Sequence, residues 1–436
     1  MTASGRPTVG RLGGADGQRA ADVSGVRVVL DVRALQEPTR APRTAAYLEG
    51  LLAGFDADPL AGESFAFLLA SDEDDPTIHF ENLEVIGRRM LPPVRLLRSG
   101  ALTVDPFVLR GASVGAAWRA ERGGAAGAVY HAAGGGLPIA SGIPTVVTLL
   151  DLAPWEMPGA FQRGVASRFG QRLRGQLLRD AAAVLVGTEA VARSARRFLH
   201  IKRERLHVVP LAPRPAYAAV ASGDRRPLAA RAMAARMGLG DRYLVYPGRF
   251  DIRQDAVTMM AALASLATAE RPADLAETAA WPPRILVLEA TPDDRAAIAR
   301  VAARHGTGEQ LVYAPKLSPA EAAGLVAGAR AVILPVVSEA SGQSAIDALA
   351  AGVPVIASSV GALPEIVGTA GILVEPRDQE RLAAAITTAW GDAPVRRVIV
   401  RAATERAAGK GRAARSWIDV ARDVRAVYAS VGRTRG

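Results

Sequence analysis

Two carboxylates flank a tight turn in SEASGQSAIDALAAGVPVIASSVGALPEIV, residues 338–367. Glu339 precedes the Ser-Gly-Gln turn, and Asp347 sits just inside the apolar stretch that follows it. The run AVILP reads as a strand ending at Pro335, with a helix beginning near Gln343 and ending before Gly352. In a parallel sheet such a strand–loop–helix aims the free amides of the helix N-terminus at a ligand, and these bind phosphate well. Gly342 lets the backbone approach closely because no side chain intrudes. A carboxylate at that mouth repels phosphate unless it faces another group, and sugar hydroxyls donate hydrogen bonds to carboxylates. Asp347, one turn inside, is placed to hold a diol such as a ribose. Hexose hydroxyls, diphosphate and ribose are, in that order, the parts of a nucleotide sugar. The plainer reading of Asp347 is complementation of the helix dipole, worth ~0.3–1 kcal/mol.

The elements around this turn set its context. Strand-like runs in the first half are VRVVLDV, SFAFLLA, LEVIG, AVYHA, PTVVTLL, AAVLVGT and RLHVVPL. In the second half they are RYLVYPG, PRILVLEA, LVYAP, AVILPV, VPVIAS and GILVEP. Several are apolar almost throughout, as strands buried on both faces of a parallel sheet are. Helical patterns lie between them, including DPFVLRGASVGAAWRAE, AVTMMAALASLATAE and SPAEAAGLVAGA. The last opens on a Ser318-x-x-Glu321 capping box with Pro319 at the first helical position. Alternation of this kind predicts parallel sheets covered on both faces. The Pro- and Ala-rich segment LAPRPAYAAVASGDRRP, 211–227, marks a seam between two doubly wound domains. Ligands of such sheets sit at the strand C-termini, so the interdomain cleft is the expected site. The end of the chain reads as one amphipathic helix with Trp417, Val420, Val424 and Val427 on one face.

Composition narrows the class. A chain of 436 residues, half of them hydrophobic, carries enough apolar material for two sizeable cores. No apolar run reaches the ~18–20 residues of a membrane span. The first 25 residues lack a signal-peptide core, so a cytoplasmic protein is expected. The absence of cysteine removes disulfides, thiolate catalysis and Cys-ligated metals together. The net charge of +10 includes only three lysines (Lys202, Lys316, Lys410). The arginines are scattered, without a basic stripe interleaved with aromatics, which argues against nucleic-acid binding. A basic surface suits anionic substrates or peripheral association with an acidic membrane. His79, His200, His207 and His305 are isolated, whereas His131 stands at a strand end before the Gly-rich run AAGGGLP. The acidic turn SDEDDP, 71–76, is expected to be solvated.

With these residues in view, the segment resembles the donor site of retaining glycosyltransferases of family 4, its mannosyltransferase-like branch in particular. The family's Glu-x7-Glu and following motif read here as Glu339, Asp347, Ala348, Gly352, Pro354, Val355, Ala357, Gly361, Pro364 and Glu365. LDVRALQ, the run VYHAAGGGLPIASGIPTVVTLLDLAPWEMPGAF, GTEAVARSARRFLHIKRERLHVVPLA and YLVYPGRFDIRQDAVTMM extend the likeness over most of the chain. The resemblance implies the GT-B fold of two Rossmann-like domains. It implies that Glu339 orients the donor hexose, that Asp347 holds the ribose, and that the backbone of Ser341, Gly342 and Gln343 cradles the diphosphate beside Ser344. Arg249 takes the family's phosphate-binding arginine position, His131 that of a histidine at the sugar end, and Asp151 that of the family's aspartate. No metal and no cofactor are implied beyond the donor substrate, for which GDP-mannose is favoured.

The chain also departs from the family pattern. Asp347 replaces the second Glu, and Gln254 stands in the place of a phosphate-binding lysine, with Arg253 adjacent as a substitute. Leu150 fills the place of a histidine before Asp151, and EPTRAPRTA replaces a glycine-rich first loop. The expectation is therefore four segments: a flexible tail over 1–24, an acceptor domain over 25–222, a donor domain over 223–410, and a C-terminal helix over 411–436 crossing back to the first domain. The expected activity is retaining transfer of a hexose from a nucleotide sugar to a glycan or lipid-linked hydroxyl. The alternative is a catalytically weakened subunit that binds a nucleotide or partner, with non-hydrolysing epimerases behind it. A dinucleotide dehydrogenase is disfavoured because VRVVLDVRALQEP lacks Gly-x-Gly-x-x-Gly.

Overall fold

The computed structural model describes residues 26–91, 128–134, 137, 143–221, 228–240, 242–273, 275, 277, 279–391, 394–408 and 415–432. The tail over 1–24 and the helix expected over 105–121 lie outside these residues. All thirteen strand-like runs are strands. β1 (Arg27–Asp31), β2 (Ser64–Ala70), β3 (Val85–Leu91), β4 (Ala128–Ala133), β5 (Thr145–Thr148), β6 (Ala183–Val186) and β7 (Leu206–Val208) form one sheet, in the order β3-β2-β1-β4-β5-β6-β7. β8 (Leu244–Tyr246), β9 (Ile285–Val287), β10 (Leu311–Tyr313), β11 (Val332–Leu334), β12 (Val355–Ser358) and β13 (Gly371–Val374) form the other, ordered β10-β9-β8-β11-β12-β13. Every pairing within the two sheets is parallel. This is the GT-B architecture. The strand order reverses between β1 and β4 in the first sheet and between β8 and β11 in the second, so each sheet opens a crevice there.

Eight helices matter for the site: α1 (Pro42–Ala57), α2 (Val165–Asp180), α3 (Glu189–Leu199), α4 (Pro215–Ala221), α5 (Pro292–His305), α6 (Pro319–Gly328), α7 (Gln343–Ala350) and α8 (Trp417–Gly432). α6 starts on the capping box read from the sequence: Ser318 Oγ accepts from the Glu321 amide, and Glu321 accepts from the Ser318 amide at 2.8 Å. One apolar cluster runs from the first sheet across the seam to a face of the second sheet. The opposite face of the second sheet has its own cluster, around Met259, Met260, Leu263, Ile298 and Trp390. α4 already packs on α6 and α7, so the chain has joined the second domain by Pro215. The acidic turn is more than a solvated loop, because Asp75 accepts from the Thr77 amide and hydroxyl and pairs with Arg88 of β3. Among the described residues no helix is long and apolar enough to cross a membrane.

The last helix returns to the first domain. Trp417, Val420, Ala421, Val424, Val427 and Tyr428 are buried, the i, i+3, i+4, i+7 stripe of an amphipathic helix, and they lie against α1. Glycine makes the approach: a Cβ on Gly50 would stand 2.1 Å from the Trp417 ring, and one on Gly54 would stand 2.2 Å from the Trp417 carbonyl oxygen. Arg425 Nε and Nη2 donate to Glu63 Oε1 and Oε2 at 2.9 and 2.7 Å, a two-pronged pair with both side chains at most 5% exposed. Removing Glu63 leaves the buried Arg425 with only its longer contact to Asp58 at 3.5 Å. Glu63→Ala is expected to cost about 3 kcal/mol or more in urea unfolding, whereas Arg401→Ala, in an exposed i,i+4 pair with Glu405, is expected to cost under about 0.5 kcal/mol.

Candidate active site

The loops after β4, β8 and β11, together with the start of α1, open onto one cavity of about 340 Å³ between the domains. The second domain contributes Arg249, Arg253, Gln254, Glu289, Glu339 and the 341–344 turn. The first contributes Arg40 to Arg43, Thr44, Tyr47, Leu150, Asp151 and Arg174. Of the residues expected in the site, Arg249, Arg253, Gln254, Asp151, Glu339, Ser341, Gly342, Gln343 and Ser344 line this cavity. Asp347 and His131 do not.

The turn before α7 is built around Glu339. Its Oε1 accepts from the Ser341 amide at 2.9 Å, the Ser341 hydroxyl at 2.8 Å and the Gly342 amide at 2.9 Å. Two of the three amides assigned to a diphosphate are therefore taken by a carboxylate of their own loop. The amides of Gln343 and Ser344, the first two helical positions, have no intrahelical acceptor and remain for an anion. Glu339 Oε2 is left facing Arg43, whose Nη2 is 3.6 Å away. Gly342 at φ +67° packs under Ile366, and Gly361 at φ +53° touches the Glu339 carbonyl, where a Cβ would come within 1.8 Å. These two glycines explain why the turn and the later Gly-x-x-Pro-Glu segment, 361–365, occur together. Glu365 of that segment reaches across the seam and accepts from the Ala190 amide, in the first turn of α3, at 3.0 Å.

Asp347 corrects the ribose expectation. It is 1% exposed and accepts from the Arg214 amide at 2.8 Å, Arg214 Nε at 2.7 Å and Gln343 Nε2 at 2.9 Å. Burial pushes its carboxyl up, and those donors pull the other way. Burial also opposes the charge on Arg214, yet the Asp347 carboxylate holds that guanidinium above its usual value. Shortening Glu to Asp at this position thus goes with an internal salt bridge, not a reach into the cleft. Arg214 was not singled out from the sequence; its signal was only a place in the Pro-rich seam. The same guanidinium touches Glu289 at 3.2 Å, and Glu289, at the end of β9, keeps 45% of its side chain exposed on the cavity.

The other cations divide into engaged and open. Arg253 donates from Nε to Asp151 Oδ1 at 3.1 Å, pairs through Nη2 with Asp151 Oδ2, and bonds Asp251 at 3.0 Å. It is a latch between the domains, and Asp151 is its partner in place of a free catalytic carboxylate. Burial alone would raise Asp151, but the Arg253 guanidinium holds it below the usual carboxylate range. Arg249 has a single, looser ion pair, 3.6 Å from Asp294 at the start of α5; it lines the cavity and its side chain is 34% exposed. Gln254 meets Val336 through a backbone bridge, with its side chain on the cavity wall. Leu150 is buried apolar wall where the resembled family has a histidine.

His131 is fully buried in the core of the first domain. Its Nδ1 lies 2.6 Å from the Tyr428 hydroxyl of α8 and its Nε2 lies 2.8 Å from Thr148 Oγ1. Thr148 in turn donates to Tyr47 at 2.9 Å, so its oxygen accepts from Nε2–H and Nδ1 accepts from Tyr428. Both nitrogens are used, which leaves none for a sugar. The histidine at the strand end is a core residue that ties α8 and α1 to the sheet.

Two domain models match the chain: a glycosyl transferase 4-like domain over residues 66–212, and glycosyl transferases group 1 over residues 241–392. This is a GT-B chain built from glycosyltransferase domains. It is 36% identical over 146 residues to D-inositol 3-phosphate glycosyltransferase 1 of Catenulispora acidiphila, a match covering 33% of each chain. The chain thus spans about a third of that relative's length. Sucrose-phosphate synthase (tll1590) from Thermosynechococcus elongatus is similar in fold, with a TM-score of 0.64 at 18% identity over 93% of this chain and 98% of that one. Anabaena Alr3699/HepE, solved in complex with UDP-glucose, is similar with a TM-score of 0.61 at 15% identity over 93% of this chain and 99% of that one. At these identities the solved structures establish the shared fold.

Burial drives the His131 pKa down to about 3, far below the ~6.5 of an unfolded histidine. A base with a depressed folded-state pKa contributes its full stability above the unfolded pKa. As pH falls below about 6.5 the unfolded chain binds a proton that the folded chain refuses, which costs about 1.4 kcal/mol per pH unit until about pH 3. Stability curves from pH 7 to 4 are expected to be shallower for His131→Gln than for the parent by about that slope.

Proposed function

We propose that the protein is a retaining glycosyltransferase that moves a hexose from a nucleotide sugar to the hydroxyl of a glycan or lipid-linked acceptor. The observation that carries this reading is the convergence, in one interdomain cavity, of Arg249, the open amides of Gln343 and Ser344, and Glu339 Oε2, held only by a loose 3.6 Å contact with Arg43. The two glycosyltransferase domain matches lie on either side of that cavity. In this reading the donor diphosphate lies between Arg249 and the start of α7. The charge that develops on the departing nucleoside diphosphate is stabilised by a fixed guanidinium and fixed dipoles, which need no reorganisation at the moment of reaction. Glu339 is locked by three hydrogen bonds through Oε1, so Oε2 is held in place to accept from hexose hydroxyls. With Asp347 buried against Arg214, the acid left to meet a ribose diol is Glu289, which shares that guanidinium through Oε1 but stays half exposed. No metal takes part in this scheme.

The donor is GDP-mannose or a UDP-hexose. The sequence resemblance favours the first, and the UDP-glucose complex of the Anabaena relative supports the second. Thermal shifts with GDP, UDP and ADP decide between them, because saturation at about 100 times Kd stabilises the folded state by ~2.7 kcal/mol. One nucleoside diphosphate is expected to raise the melting temperature, and Arg249→Ala is expected to weaken it at least about tenfold, the loss of one charge-assisted contact. With the matching nucleotide sugar, Glu339→Gln is expected to lower turnover by about 100-fold, the scale of one transition-state contact, and chelation by EDTA to leave it unchanged. No response to any of the three nucleotides would sink the donor site.

A further inference from the structure

One cation in the cavity wall belongs to none of the donor contacts. Arg174 of α2 is only 8% exposed and lines the cavity from the side of the first domain. Its Nε has no hydrogen-bond partner, and among the described residues no carboxylate forms an ion pair with it. The guanidinium lies over Trp155, its carbon 5.2 Å from the ring centroid. Asp151, whose negative charge reaches Arg174, is hydrogen-bonded to Arg253. Gln171, one turn earlier on α2, also buries an Oε1 without a partner. A buried guanidinium without a counter-charge destabilises the fold it sits in, so its place here calls for a ligand that supplies the missing anion.

We propose that Arg174 is the anchor for an oxoanion carried by the acceptor, a phosphate or a carboxylate. The proposal rests on the reading of the cavity as a sugar-transfer site. Position assigns the anion to the acceptor: Arg249 and the amides of Gln343 and Ser344 all come from the second domain, whereas Arg174 and Trp155 come from the first. A guanidinium presents parallel N–H donors that match two oxygens of one oxoanion, and Trp155 against it limits its motion. The acceptor would enter with its anionic group on the first-domain wall and its reactive hydroxyl toward Glu339.

Inorganic phosphate and acetate, at matched ionic strength, are the probes. They are titrated by thermal shift into the intact protein already saturated with whichever of GDP, UDP or ADP it binds. Phosphate is expected to raise the melting temperature further if the natural group is a phosphate, and acetate if it is a carboxylate. Arg174→Met is expected to weaken that added response at least tenfold, Arg174→Lys to weaken it less, since it keeps the charge but loses the paired donors, and both to keep the response to the nucleotide. Arg174→Met is also expected to melt no lower than the parent without ligands, since it removes an uncompensated buried charge. An unchanged added response in Arg174→Met, or none to either anion in the parent, would overturn the proposal. So would loss of the nucleotide response, which would place Arg174 in the donor site. A parent that answers no nucleotide, yet answers phosphate through Arg174, removes the transfer reading and leaves the anion site standing.

Discussion

The salt bridge between Arg214 and Asp347 is the constraint on which the site rests. Arg214 lies where the chain leaves the first sheet, and Asp347 lies inside the helix whose N-terminus faces the cavity. A carboxylate this deeply buried needs its donors, so the seam and α7 are held in one arrangement. Gln343 joins them, bonding both Asp347 and the carbonyl of Ala212. The turn that carries Glu339 and the open amides is thereby fixed to the exit of the first domain. Precision at the mouth of α7 comes from charge buried behind it.

Around that pin, beside the apolar cluster that crosses the seam, polar contacts also join the two domains. Arg253 with Asp151, Arg43 with Glu339, Ser338 with Glu156, and Glu365 with the start of α3 each join opposite sides. Partly exposed pairs of this kind add little stability one at a time. They define an arrangement in which several cavity charges are already satisfied by protein. A charged ligand entering the cleft therefore exchanges partners with residues that already have them, Arg253 above all. The cavity cations that require the least exchange are Arg249 and Arg43, each with one ion pair at 3.6 Å, and Arg174, with no ion pair among the described residues. α8 adds an apolar brace to the same assembly, since Trp417 and Tyr428 pack against α1 and the core histidine of the first sheet.

Much of this was legible from local pattern. Thirteen apolar, β-branched runs became thirteen parallel strands, because a strand covered on both faces admits few polar residues. The capping box at Ser318 and the start of α7 after Gly342 were readable because caps and turns depend on a few adjacent residues. The reading failed at side chains with distant partners. Asp347 appeared to face a ligand because its spacing from Glu339 matched a motif, but its partner Arg214 is 133 residues away in the chain. His131 appeared catalytic because it ends a strand before glycines, yet its ring is closed in by Tyr428, 297 residues on.

The sequence by itself determined the two parallel sheets, the turn between β11 and α7, and the acid at its mouth, since hydrophobic period, glycine and capping residues act over a few positions. Only the tertiary structure decided which charges are spent inside the protein and which remain for a ligand. A carboxylate or guanidinium is defined by its counter-charge and its access to water, and both are brought to it by chain segments hundreds of residues apart. For this reason Asp347 and His131 withdrew into the fold, while Arg174, which no motif marks, lines the cleft without an ion pair among the described residues.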